Sequence, residues 1–339
     1  MSSNNDPVDF RGEKITQVEV DIITRLEEKL GFIIPIVNKV EPSSIGFVVE
    51  NTNIIELGLG KKKIEEFPEE INELNELKSL ELMDNKITQI PDSIQKLQKL
   101  VNLNLHGNKL KTLPDTIGKL TNLTYLSLGS NLINHLPEGI AGLIHLETLI
   151  LTSNKLKRLP DSICDLPSLQ FLYLHNNQII ELPDNFGKLS AMIQLYLSKN
   201  KLKTIPDSIN WMIQLKRLYL QENQLLSLPN ISNLKNLEAL WLENNNLEVL
   251  PDGLCNLNKL VRLRLAFNEL ENLPECFGDL QSLSELILRG NNLTTLPDSI
   301  VNIRTIKMLY LDNNPLFEFS SSISRWLSGI KMLGGVVCH

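Results

Sequence analysis

Apolar positions recur along this chain in one phrase, L-x-x-L-x-L-x-x-N-x-L-x-x-L-P-D-x-I-x-x-L-x-x. Leu100, Leu103, Leu105, Asn108, Leu110, Leu113, Pro114, Ile117 and Leu120 give it in full. Prolines at 68, 91, 114, 137, 160, 183, 206, 229, 251, 274 and 297 lie 23 residues apart, with a single interval of 22 between Pro229 and Pro251. Asparagines keep the same metre from Asn85 to Asn314, and twelve copies run from Ile54 to the phrase that opens at Ile306. Self-similarity at this period marks a stacked repeat rather than a set of globular domains.

Each part of the phrase predicts an element. The L-x-L alternation has period two, so its leucines point inward from a short strand while their neighbours face out. Strands of successive repeats are expected to lie parallel, about 4.8 Å apart, in one sheet. The asparagine turns the chain after the strand, its amide satisfying backbone groups that would otherwise be buried unpaired. Proline ends the extended segment, and the acidic residue after it suits the start of a short helical turn that sends I-x-x-L inward. The interval of 22 falls where N-I-S-N-L follows Pro229 in place of D-S-I-x-x-L, so that turn is one residue short. The fold class is therefore an α/β solenoid of twelve mostly 23-residue repeats, strands on one face and short helical turns on the other.

Residues 54–314 carry the repeats, which leaves 1–53 and 315–339 as N- and C-terminal caps. Val18, Ile22, Leu26 and Leu30 follow helical spacing, with Thr16 and Glu19 as a capping box and Gly31 as the stop. Extended pieces are expected at 32–37 and 47–50. Ile323, Trp326, Leu327 and Ile330 share one face of a closing helix. Ends of this kind predict a complete protein rather than a fragment.

The 23-residue L-P-x-x-I repeats resemble the Ras-group class of leucine-rich-repeat proteins, which includes plant intracellular members and the soc-2/sur-8 scaffold of animals. The resemblance covers residues 54–314. It implies a horseshoe with a concave parallel sheet, and a protein-binding scaffold whose partners include small GTPases or their effectors. One feature departs from the class: Lys14-Ile15-Thr16-Gln17-Val18 lacks the aromatic of the basic-hydrophobic-aromatic peptide by which relatives of the animal scaffold bind a phosphatase.

Charge and composition narrow the function. A net charge of −7 argues against a nucleic-acid surface, which needs clustered Lys and Arg. The one basic run, Lys61 to Lys63, is answered at once by Glu65, Glu66, Glu69 and Glu70. No stretch approaches the roughly 20 apolar residues of a membrane span, and Met1 to Pro7 has no apolar signal segment. The four cysteines show no C-x-C or C-x-x-C pair, so a reducing, cytoplasmic location is expected, with Cys164 and Cys255 as buried small hydrophobes. Sequons at Asn122, Asn230 and Asn292 then read as chance matches. His106 and His175 stand three repeats apart, roughly 14 Å at about 4.8 Å per strand, too far to share a metal. Gly58-Leu59-Gly60-Lys61 lacks the spacing of a phosphate loop. No catalytic site, cofactor or metal is expected.

The outward strand positions carry the information. The residue between the paired leucines runs Gly58, Glu81, Asn104, Ser127, Ile150, Tyr173, Tyr196, Tyr219, Trp241, Arg264, Ile287, Tyr310. Two residues earlier lie Tyr125, Phe171, Arg217 and Arg262, and all five tyrosines of the chain fall in these two columns. Strand propensity and cross-strand packing favour such rings. The early repeats, however, use Glu, Asn and Ser at the same place, so the fold does not require aromatics there. Tyr, Trp and Arg also concentrate interface energy. The candidate partner-binding residues are Phe171, Tyr173, Tyr196, Arg217, Tyr219, Trp241, Arg262, Arg264 and Phe267, for a protein or peptide partner. The alternative is a structural or self-associating solenoid with no separate partner.

Overall fold

The computed structural model describes residues 6–317 and 319–338. They form two compact units, one comprising the chain up to Leu156 with Pro160–Leu169, the other Lys157–Leu159 with the chain from Gln170 onward.

The first unit opens with an antiparallel hairpin, β1 (Pro7–Phe10) and β2 (Glu13–Thr16), which the aperiodic N-terminus did not announce. Helix α1 (Gln17–Leu30) follows, burying Ile22, Ile23 and Leu26. Thr16 Oγ1 accepts the Glu19 N–H, and Gly31, at φ 73°, closes the helix by donating to Glu27 O. The expected capping box is only half made. The Glu19 carboxylate turns away from Thr16 and accepts the N–H of Ile54 at 2.8 Å, so the helix is clipped to the first repeat. Burial pushes the Glu19 carboxyl up to about 7. Strand β3 (Ile45–Glu50) then pairs antiparallel with β4 (Asn53–Leu59), the strand of the first repeat. The extended piece expected at 32–37 is no strand. Only Ile36 bridges to Phe47, and Pro35, which has no N–H to give a ladder, serves through its carbonyl.

Strands β5 (Ser79–Glu81), β6 (Asn102–Asn104), β7 (Tyr125–Ser127) and β8 (Thr148–Ile150) follow β4 in parallel order. In the second unit β9 (Phe171–Tyr173), β10 (Gln194–Tyr196), β11 (Arg217–Tyr219), β12 (Ala239–Trp241), β13 (Arg262–Arg264), β14 (Glu285–Ile287) and β15 (Met308–Tyr310) do the same. Helix α2 (Ser321–Met332) buries Ile323, Leu327 and Ile330, and Trp326 Nε1 donates to Ile303 O. The chain then adds β16 (Val336–Cys338) in parallel beside β15.

The leucine columns form the core: Leu195, Leu240 and Leu263 of successive strands are fully buried, and Leu218 is 3% exposed. The short repeat leaves this ladder in register, with Leu218 opposite Leu240, because the missing residue is taken from the turn. Elsewhere the post-proline segment winds into a 3-10 turn such as Asp207–Trp211. No such turn separates β11 from β12, where Ile231 and Leu234 still fill the inward positions.

The asparagines brace more than their own turn. Asn200 Nδ2 donates to Leu197 O in its repeat and to Leu174 O in the preceding one, while its Oδ1 accepts the N–H of Ile179. One buried amide thus ties two repeats. The residue before it takes left-handed backbone, from Asp84 through Asn313, at φ 53–59° in the nine non-glycine cases.

The cysteine expectation is corrected. Cys255 and Cys276 form a disulfide, with Cα atoms 5.8 Å apart. Cys255 lies in the turn Asp252–Asn256 and Cys276 in the next, Glu275–Asp279, so stacking brings together residues 21 apart that no short-range motif would pair.

Candidate partner-binding surface

Parallel pairing sets Tyr173 beside Tyr196, Tyr196 beside Tyr219, Tyr219 beside Trp241 and Trp241 beside Arg264. The side chains close into one stack. Tyr173 and Tyr196 lie with ring centroids 4.6 Å apart at 15°, and Tyr196 and Tyr219 at 4.3 Å and 8°. Tyr219 meets Trp241 edge-on at 4.7 Å and 81°, and the Arg264 guanidinium covers the indole at 4.2 Å. All four rings are half-buried. Their faces are spent on one another, so edges and hydroxyls are what they present outward.

Polar groups fix this stack. Tyr196 donates its hydroxyl to Gln194 Oε1 at 2.8 Å. Burial, with a hydrogen bond to Tyr219, raises the Tyr196 pKa, which keeps the phenol protonated and a donor. Arg264 donates through Nε to Glu285, which is 4% exposed, and its other end stands 3.9 Å from Glu243. Arg262 reaches the same Glu285 at 3.7 Å. Burial raises the Glu243 pKa too. Next to these, Gln221 Oε1, Trp241 Nε1 and Glu243 Oε2 are buried without any hydrogen-bond partner. An unpaired buried polar atom costs about 1–3 kcal/mol, so this face carries unmet bonding capacity.

Eight of the nine residues singled out in the sequence lie in two adjoining rows on β9–β13. Tyr173, Tyr196, Tyr219, Trp241 and Arg264 make the stack. Phe171, Arg217 and Arg262 belong to the row beside it, with Gln194 and Ala239 between them. Phe267 stands apart. It occupies the left-handed position after β13 (φ 57°), 47% exposed, with its ring against Gly290 and Arg289. Gln194 and Glu285, which orient or adjoin the stack, stand in the outward columns but were not among the candidates, and Gln221 and Glu243 lie two residues past Tyr219 and Trp241, outside both columns. A third outward column, two residues past the stack, was the signal that would have found Gln221 and Glu243.

Among the described residues no group of three or more His, Cys, Asp or Glu side chains is placed to hold a metal ion, and no helix is long and apolar enough to cross a membrane. A model described as "Leucine-rich repeat region" matches residues 38–131, 115–197 and 164–271, and one described as "Leucine rich repeat" matches 273–316. The chain belongs to the leucine-rich-repeat family. No curated protein is significantly similar to it in sequence. Among solved structures, this leucine-rich-repeat chain resembles a leucine-rich-repeat protein of Leptospira interrogans, at 29% identity and TM-score 0.65 over 84% of this chain and 83% of that one. It also resembles the Arabidopsis receptor kinase HAESA, solved in complex with the peptide hormone IDA and the co-receptor SERK1. That match has 26% identity and TM-score 0.64 over 83% of this chain, which spans 54% of the receptor chain. An internalin of Listeria monocytogenes, 22% identical with TM-score 0.69 over 82% of this chain and 81% of that one, shares the fold. The leucine-rich-repeat fold is typically a non-enzymatic scaffold for protein–protein interaction.

Proposed function

We propose that this leucine-rich-repeat chain is a protein-binding scaffold that holds a protein or peptide partner on the outward sheet face of β9–β13. The observation that carries the reading is the unbroken stack Tyr173–Tyr196–Tyr219–Trp241–Arg264, half-buried and bordered by polar atoms that lack partners. The residues are those that dominate binding energy at interfaces. Phe171, Arg217 and Arg262 extend the surface, and Phe267 stands at its rim. Residues 1–53 and 315–339 act as caps on the repeats at 54–314. The complex of HAESA with a peptide hormone supports a peptide or protein as the kind of ligand.

Resemblance of the repeats to the Ras-group class supports a cytoplasmic scaffold in small-GTPase signalling. The Cys255–Cys276 bond belongs with an oxidising compartment instead. The two pull apart, and counting thiols in protein taken from its native cells decides between them. Four reduced cysteines support the cytoplasm; two overturn it.

Affinity capture with mass spectrometry tests the binding role. Tyr219→Ala/Trp241→Ala removes two rings and leaves Leu218, Leu220, Leu240 and Leu242 in place. Proteins retained by the native chain and lost by this variant support the reading. A captured set that does not change refutes it. A native chain that runs as a dimer in solution, and a variant that runs as a monomer, would show self-association through the same face.

A further inference from the structure

The row beside the aromatic stack holds a second arrangement. Register sets Arg217 beside Ala239 and Ala239 beside Arg262, so two arginines on β11 and β13 bracket the smallest side chain of the row on β12. The bracketing strands are about 10 Å apart at two spacings of about 4.8 Å, within reach of two guanidiniums folding onto one group. Ala239 is only 2% exposed.

These two arginines are poorly matched at home. Among the described residues Arg217 forms no ion pair. Arg262 has only the 3.7 Å approach to Glu285, whose carboxylate already accepts from Arg264. The outward positions of β11–β13 carry Arg217, Arg262 and Arg264, and the carboxylates paired with them, Glu243 and Glu285, meet only Arg262 and Arg264, in a chain whose net charge is −7. In the adjoining stack the outward ring edges carry the positive end of the aromatic quadrupole, and Tyr173 and Tyr219 add phenol O–H groups. Tyr196 and Tyr219 each have a ring on either side, so stacking of a sugar or a nucleobase on these two is blocked.

We propose that the partner offers this face an acidic extended segment, with one carboxylate side chain lodged between Arg217 and Arg262 over Ala239. The inference rests on the reading of the stack as the partner surface and adds the partner's chemistry. Two guanidiniums on one carboxylate make charge-assisted bonds. Backbone carbonyls of the same segment meet the phenol hydroxyls of Tyr173 and Tyr219.

The test selects peptides of about ten residues from a random display library on the full-length chain. Sequencing the pool gives its charge, and binding of its tightest members is then measured. The expected pool is enriched in Asp and Glu. The variant Arg217→Gln/Arg262→Gln weakens its members by at least about tenfold, while Arg217→Lys/Arg262→Lys recovers part of the loss. Lys203→Gln, an exposed charge away from the strands, leaves binding unchanged. Affinity falls as sodium chloride is raised, since exposed pairs are screened beyond about 8–10 Å at physiological salt. A neutral or basic pool, or acidic peptides indifferent to Arg217→Gln/Arg262→Gln yet sensitive to Tyr219→Ala/Trp241→Ala, overturns the acidic-segment proposal and keeps the partner surface. Peptides indifferent to both variants, or no selected peptide at all, overturn both. Displacement of the acidic peptides by equimolar inorganic phosphate would show a small-anion site and likewise refute the proposal.

Discussion

Asn200 shows how much of the solenoid rests on single side chains. Its amide meets four backbone groups across two repeats, all in the buried layer beneath the strand exit. Asn200→Ala leaves the Ile179 N–H without a partner, while Leu174 O and Leu197 O keep the amides of Asn177 and Asn223, and it is expected to cost about 1–3 kcal/mol. The exposed neighbour Lys201→Ala should cost no more than about 0.5 kcal/mol. Chemical denaturation of the two variants checks this; equal losses would remove the brace. The periodic asparagine was plain in the sequence. Its reach into the preceding repeat was not, because that depends on how closely repeats stack. Glu19 is a similar case. Its place three residues after Thr16 suggested a local capping box, but the carboxylate prefers Ile54, which is 35 residues away. Its carboxyl titrates near 7 in the folded chain and near 4.3 in the unfolded one. The native state therefore binds this proton more tightly, and the group's contribution to stability is lost as pH rises from about 4 to 7. Melting temperatures of the native chain and Glu19→Gln, taken near pH 5 and pH 8, should show a smaller fall in the variant. Identical falls would contradict the assignment.

At the scale of elements, turns pack against turns with little room to spare. A Cβ on Gly187 would lie 1.8 Å from Ser208 O, in the turn of the next repeat, where Gly187 N–H also donates to Ser208 Oγ at 3.0 Å. Gly329 in α2 has open space around it. Gly187→Ala is expected to destabilise by about 1–3 kcal/mol through overpacking, and Gly329→Ala to stabilise by up to about 1 kcal/mol through helix propensity. Thermal melts with opposite shifts check the pair, and shifts of the same sign would count against the packing described. Strands and turns of the repeats were legible because period two and period 23 reinforce each other over twelve copies. The β1–β2 hairpin and β3 lie outside the repeat and had no such support. The Cys255–Cys276 bond joins turns that touch only once the repeats are stacked, and it is invisible to a search for close cysteine spacing.

At the scale of the whole molecule, one scaffold carries two kinds of surface. Leucines and asparagines repeat in both units, while the outward column changes from Glu81, Asn104 and Ser127 to three tyrosines, a tryptophan and an arginine. Nothing in the core requires that change, since the strands pair alike on both sides of it. The aromatic column was readable by eye. That its rings would consume one another's faces, and that Arg264 would cap the indole, depended on side-chain packing. A surface built for a partner predicts that binding energy follows the rings and not the sheet. The measurement is the affinity of a captured partner for two folded double variants. Tyr219→Ala/Trp241→Ala should weaken it by about 2 kcal/mol or more, roughly thirtyfold, while Asn104→Ala/Ser127→Ala should leave it nearly unchanged. Loss of binding in the second variant and retention in the first would show the stack to be sheet packing alone.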